Sequence, residues 1–287
     1  MQHGRRTMMV ILFLVLTLGA CQDPSGSETT RVEGDWLIPR DQIFDGGPGK
    51  DGIPALTNPA FVNSSDATYL NDDDLVIGVR IGDVVRAYPH PILDWHEIIN
   101  DEIGTARFSI TYCPLTGSGI ALNSVINGST TTFGVSGLLY NTNLIPYDRG
   151  TNSNWSQMKL QCVNGTLKGT VIGTYPIVET TWRTWNQMYP QTTVVSRNTG
   201  YSRPYGTYRY GDYKTSNTTI FPISNRDDRL PMKERVHGVI VGAKSRVYRI
   251  ATFPDSGGTI NDVLNGTSIV VAGSRSQNFA VAFERRL

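Results

Sequence analysis

Along most of the chain, apolar side chains alternate with polar ones or gather in short runs separated by turn residues. In "LVIGVRIGDVVRAYPH", 75–90, two apolar runs flank Gly82-Asp83, which predicts a hairpin. "GIALNSVINGSTTTFGVSG", 119–137, is built around Asn127-Gly128, the dipeptide best suited to a type I′ turn. "QCVNGTLKGTVIG", 161–173, repeats the arrangement around Asn164-Gly165. Further along, "GVIVGAKSRVYRIA" reads as another hairpin, and "SIVVAGS" and "FAVAFE" as closing strands. Helical patterns are few. "PILDWHEIIND", 91–101, allows a turn or two with Asp94 near its start, and "ETTWRTWNQMYP", 179–190, has Thr180 to cap it and Pro190 to end it. Between 198 and 231 the chain is rich in Tyr, Arg, Gly, Asn and Asp, the composition of a long loop region. Short connections between successive strands favour neighbouring antiparallel pairs. The expected fold is therefore mainly β: antiparallel sheets built from consecutive hairpins, with one or two short helices.

The first residues break this pattern. Arg5 and Arg6 precede an apolar run from Met8 to Leu18, too short to span a bilayer, and then Gly19, Ala20 and Cys21. This is the layout of an export signal, and "LGAC" has the form of a lipobox whose cysteine is lipidated after cleavage. The reading divides the chain into a lipoprotein signal peptide, 1–20, a flexible tether, 21–34, and one β-rich domain, 35–287. It predicts a cell-envelope protein held to the membrane through Cys21, on the periplasmic side of an outer membrane or the extracellular face of the cell membrane. An ordinary secretory signal with Cys21 near its cut is the alternative. Six Asn-x-Ser/Thr sequons (Asn63, Asn127, Asn154, Asn164, Asn217 and Asn265) then read as turn chemistry.

The full chain has 287 residues, with 26 basic and 25 acidic side chains and no long run of either sign. Losing Arg5 and Arg6 leaves 24 basic residues against 25 acidic ones. Neither balance marks a nucleic-acid partner.

Polar and aromatic groups concentrate in three places. "YPHPILDWHEIIND" carries His90, Asp94, Trp95, His96, Glu97, Asn100 and Asp101. "TYCPLTGSG" places Cys113 where a strand breaks into a turn. "GVSGLLYNTNLIPYDRGTNSNWSQ" carries Tyr140, Tyr147, Asp148, Arg149, Trp155, Ser156 and Gln157. A thiol ordinarily titrates near ~8.5 and reacts as thiolate. Backbone N–H groups after Cys113 can hold an anion, and a histidine in contact can lower the thiol further; His96 is the chosen partner. His90, between two prolines, reads as a turn residue, and His237 as a strand opener. Cys113 is open to other readings: a disulfide with Cys162, or inert packing.

These motifs, together with "GGPGKDGIPAL" at 46–56 and "TWRTW" followed by "YP", resemble a bacterial and archaeal family catalogued as a domain of unknown function, number 3179 (DUF3179). The resemblance covers most of the chain after the tether. It implies no established reaction. Some members are labelled candidate selenoproteins, which implies that the position matched to Cys113 suits redox or nucleophilic work.

The leading expectation is a thiol-dependent oxidoreductase acting on a small molecule or thiol. Its catalytic group would comprise Cys113, His96 and Asp148, with Tyr112, Tyr140, Arg149, Trp155, Ser156 and Gln157 around the substrate. No CxxC is present, so an internal resolving cysteine of that kind is not expected. The second expectation is a metal site on Cys113 and His96, with copper the leading ion. The third is a non-catalytic carbohydrate- or peptide-binding module.

Overall fold

The computed structural model describes residues 32–286. The segment read as a signal peptide, Cys21 and most of the expected tether lie outside the described residues. Three five-stranded sheets form the body. The first runs Ile43–Asp45, Phe133–Tyr140, Asn143–Asp148, Asn154–Ser156, Gln161–Asn164. The second runs Thr174–Tyr175, Ser118–Asn123, Ala106–Cys113, Ile98–Ile103, Leu56–Thr57. The third runs Val178–Thr181, Leu75–Ile81, Val84–Pro89, Thr193–Val195, Phe61–Asn63.

The second sheet is the middle layer, and alternation along Ala106–Cys113 shows why. Phe108, Ile110 and Tyr112 pack with Ile77, Val79 and Tyr88 of the third sheet. Cys113 faces the other way, among Phe133, Leu144, Trp155 and Cys162 of the first sheet. A strand buried on both faces carries few charges, and from Phe108 to Cys113 every residue is buried. The outer face of the third sheet is covered by the helix α2 (Trp182–Met188), whose Trp182 and Trp185 pack on Val76, Val85 and Val194.

The Gly82-Asp83 and Asn127-Gly128 hairpins form as the sequence predicts. The fold is mainly β and its sheets are largely antiparallel, with two parallel pairs: Thr193–Val195 on Val84–Pro89, and Leu56–Thr57 on Ile98–Ile103. Three local expectations change. Asn164-Gly165 does not close a tight hairpin; its strand pairs back to Asn154–Ser156, and a loop returns only to an isolated Gln161–Val171 bridge. The N-cap of α2 is Thr181, whose hydroxyl accepts the Thr184 amide, rather than Thr180. The other helix, α1 (His90–His96), is shorter than 91–101, because Glu97 takes φ +57° and the chain turns directly into the strand Ile98–Ile103.

After Thr193–Val195 the chain makes no helix or strand until Val236. It ends in the hairpin Val236–Val241 with Lys244–Arg249, and a three-stranded sheet of Gly258–Leu264, Thr267–Ser274 and Phe279–Glu284. These share a small core of their own around Phe253, Ile269 and Val271. Arg235 joins this unit to the body by pairing with Glu179 and donating to Asn278. No helix among the described residues is long and apolar enough to cross a membrane.

Candidate functional site

Cys113 ends its strand at the rim of the central sheet, and the turn Pro114–Gly117 begins there. Its thiol is almost wholly buried, at 1% exposure, and sits 3.5 Å from the Thr142 carbonyl. Two influences oppose one another at the sulfur. Burial, and then the nearby Glu97 carboxylate, push its pKa up, while the Thr116 hydroxyl and the Thr116 and Leu115 amides pull it down. The resting group is a thiol. The turn after it already contains the donors that a thiolate needs.

Glu97 reaches this rim through an unusual backbone. Its amide caps α1 on Leu93, its carbonyl accepts the Tyr112 amide at 2.7 Å, and its positive φ makes the bend between the two. No hydrogen bond or ion pair among the described residues satisfies its carboxylate. Burial raises it to about 7, with Arg209 opposing and Asp94 adding to the rise. A carboxyl group that exchanges its proton near neutrality beside a thiol is suited to acid–base work.

His90 and Asp94 have i, i+4 spacing and lie on one side of α1, and Glu97 follows just past its C-terminus. Asp94 is buried and held by Lys214 at 3.1 Å through one oxygen; its other oxygen has no partner. His90 is buried, its ring tilted against that of Tyr112 at 4.2 Å between ring centres, with Nε2 at 3.7 Å from Glu179.

A strap from Tyr205 to Phe221 closes the rim. Trp95 Nε1 donates to the Thr207 carbonyl, Tyr208 donates to the Pro114 carbonyl, and Thr142 donates to the Phe221 carbonyl. Tyr208, Tyr210, Tyr213 and Phe221 pack against the cluster that holds Cys113. The strap contains no helix or strand, so side-chain contacts hold it in place: these bonds, the Lys214–Asp94 pair, the Tyr205 hydroxyl on His96 and the packing of Tyr213 in the core. The Tyr213 hydroxyl is buried without a partner.

His96 is not hydrogen-bonded to Cys113. Its Nδ1 contacts the Pro54 carbonyl at 2.7 Å and its Nε2 the Tyr205 hydroxyl at 2.6 Å, so both ring nitrogens are occupied. Burial lowers its pKa, which keeps the ring neutral. Those contacts also leave His96 no nitrogen for a metal shared with Cys113, so the pair does not fit copper or another ion. No group of three or more His, Cys, Asp or Glu side chains among the described residues is arranged to hold one. Cys113 and Cys162 are both free thiols inside one core cluster. Burial raises Cys162 to about 11, a poor nucleophile.

The other candidates fall into structural networks. Asp148 accepts from the Thr151 amide and hydroxyl and from Trp155 Nε1 at 3.0 Å, pinning a turn to a core indole. Arg149 pairs with Asp51 rather than with Asp148. Gln157 donates to Thr111 and accepts from Ser118 and Asn143, tying the first two sheets together. Ser156 is buried beside it and accepts the Lys159 amide, and Tyr140 is half-buried at a strand end. Tyr112 lies on the opposite face of its strand from Cys113. His237 lies near Glu179 and Arg235 at the joint to the C-terminal unit.

Sequence reasoning placed Glu97 in a polar cluster and the strap tyrosines in a loop region without giving either a role at the site. The 90/94 spacing with Glu97 just beyond it, and the density of tyrosine in "YGTYRYGDYK", were the available signals.

The geometry defines a mainly β protein with a buried cysteine on a donor-rich turn, a carboxyl group beside it and an aromatic strap above. The chain belongs to the family described as "Protein of unknown function (DUF3179)", whose sequence profile matches residues 50–287. Comparison with curated proteins and with solved structures gave no match.

Proposed function

We propose that this is a cell-envelope thiol oxidoreductase, lipid-anchored through Cys21, in which Cys113 is the reacting sulfur and Glu97 its proton partner. The observation that supports it is the juxtaposition of a buried thiol, a turn of amide donors and a carboxyl group titrating at about 7. Perturbed groups gathered under a detachable cover are what a gated reactive site requires.

The reaction that fits a single working cysteine is exchange with a small disulfide. With the strap lifted, the Cys113 proton passes to the Glu97 carboxylate. The thiolate attacks one sulfur of the disulfide, the S–S bond breaks, and a mixed disulfide forms on Cys113. The departing thiolate takes the proton back from Glu97. A different small thiol, deprotonated by Glu97, then attacks the outer sulfur of the mixed disulfide; the bond to Cys113 breaks, a disulfide joining the two small thiols leaves, and Cys113 takes the proton back from Glu97. Cys113 cycles between thiol and mixed disulfide while the external couple supplies and removes the two electrons.

The test is intact-mass analysis of folded residues 32–287 incubated with oxidised glutathione. The reading predicts one glutathione adduct, mapped to Cys113, formed equally in Cys162→Ser and absent in Cys113→Ser. An adduct that forms only after denaturation, or only on Cys162, contradicts it.

A further inference from the structure

Away from the thiol, the start of the 196–235 segment runs alongside residues 55–60 and leaves an open groove of about 520 Å³ between them. That volume falls in the range of small-molecule sites. Its lining includes Thr57, Asn58, Asn198, Thr199 and Tyr201. Tyr201 is 45% exposed, a large aromatic face turned partly to solvent. The side-chain amides of Asn58 and Asn198 have no hydrogen-bond partner among the described residues. They leave donors and acceptors free for a ligand.

The groove is built rather than incidental. Asn58 is held in the left-handed region at φ +48° while its amide donates to the Asn100 carbonyl. Asn100 in turn reaches the Leu56 carbonyl and Thr57 hydroxyl from the buried side. On the opposite wall the Thr199 hydroxyl accepts the Tyr201 amide and shares a hydrogen bond with Tyr205. His96 braces both walls. Its Nδ1 meets the Pro54 carbonyl, its ring lies 5.4 Å from the Tyr201 ring, and its Nε2 meets Tyr205. This explains a neutral, fully buried histidine that has no hydrogen bond to the thiol.

Two arginines adjoin one wall of the groove in the chain, and both act electrostatically on Tyr205 behind it. Arg197 and Arg203 flank the Asn198–Tyr201 wall, and neither has a carboxylate partner among the described residues. Arg203 lies close enough to act electrostatically on His96 and Tyr205. A guanidinium matches a carboxylate in shape as well as charge, an aromatic face suits the C–H face of a sugar ring, and amides suit its hydroxyls.

We infer that this groove is a binding site for a sugar acid: Tyr201 stacks on the ring, Asn58 and Asn198 bond its hydroxyls, and Arg197 and Arg203 hold its carboxylate. None of the residues is shared with the proposed thiol chemistry, so either site can fail without the other.

Calorimetric titration of folded residues 32–287 with glucuronate, glucose and inorganic phosphate tests it. Glucuronate binds at least tenfold more tightly than glucose or phosphate. Binding weakens at least tenfold in Tyr201→Ala and in Arg197→Gln/Arg203→Gln, and is unchanged in Cys113→Ser. No heat with glucuronate, equal affinity for phosphate, or full affinity in either groove variant overturns the assignment. Because Tyr201 and Arg197 are exposed, far-ultraviolet circular dichroism of these variants should match the parent, which separates lost binding from lost fold.

Discussion

The Glu97 carbonyl accepts the Tyr112 amide at 2.7 Å, which brings the end of helix α1 to the strand position immediately before Cys113. A carboxyl group and a thiol that are sixteen residues apart in the chain thus emerge at one rim. Burial and then the Glu97 charge raise the thiol, while Glu97 itself is raised by burial and by Asp94. A proton on Glu97 removes that charge from beside the sulfur, and this influence underlies the proposed chemistry.

The first prediction concerns stability. Glu97 is raised from 4.5 to about 7 by burial. The folded protein therefore binds more protons than the unfolded chain between those values. Its stability falls as pH rises through that window and levels off above it. Glu97→Gln removes the dependence. Denaturant melts at pH 5 and pH 8 should show the variant gaining on the parent by roughly 2–3 kcal/mol at the higher pH. An unchanged difference between the two pH values would mean that Glu97 titrates like an exposed carboxylate.

The strap should be removable without unfolding the sheets. Lys214 is half-exposed but Asp94 is buried, so losing the pair costs roughly 1–3 kcal/mol as Asp94 is left without its partner, and Tyr208→Phe loses one hydrogen bond of about 1 kcal/mol. Lys214→Ala/Tyr208→Phe should label Cys113 with iodoacetamide at least five times faster than the parent. A parent already labelled at the rate of a free thiol would show that no cover exists.

Asp148 behaves as an anchor in this structure. Removing a buried carboxylate that bonds Trp155 and Thr151 destabilises by roughly 3 kcal/mol, in the range for broken buried networks. Asp148→Ala should lower the melting temperature by several degrees and leave the rate of adduct formation at Cys113 within twofold. A stable variant with a collapsed rate would return Asp148 to the reacting group.

The seat of α2 on the third sheet depends on a missing side chain. A Cβ on Gly78 would lie 2.3 Å from the Trp185 ring, inside the packing of α2 on the third sheet. Gly78→Ala should therefore destabilise by about 1–3 kcal/mol, as overpacking does. A neutral result in thermal melts would mean that α2 shifts freely.

Much of the fold is legible in the chain because its cues are local. Gly82-Asp83 and Asn127-Gly128 mark their hairpins, and Pro190 follows the end of α2. The strand Ile98–Ile103 is hidden because nothing marks a glutamate as the bend: Glu97 adopts φ +57°, a conformation that favours glycine or asparagine, so helix and strand read as one segment. The position of Cys113 at a strand end is also local. Its surroundings are not. Glu97 reaches it through a sheet register, and Tyr208, Tyr210 and Tyr213 arrive from a segment with no periodicity to place it. His96, the nearest plausible partner by sequence, turns toward Pro54 and Tyr205 because both nitrogens find acceptors or donors there.

Anchoring has its own test. Cys21→Ser should move the protein from the membrane fraction to the soluble fraction of expressing cells and abolish labelling with a palmitate analogue. Unchanged membrane retention would leave an ordinary signal or another attachment.

The measurement that bears most directly on the account is the pH dependence of mixed-disulfide formation at Cys113, followed in Cys162→Ser with and without Glu97→Gln. A rate that rises through an inflection near pH 7, and whose inflection is lost when Glu97 becomes Gln, is the predicted result. Identical profiles in the two proteins, tracking thiol ionisation alone, would contradict a working Cys113–Glu97 pair.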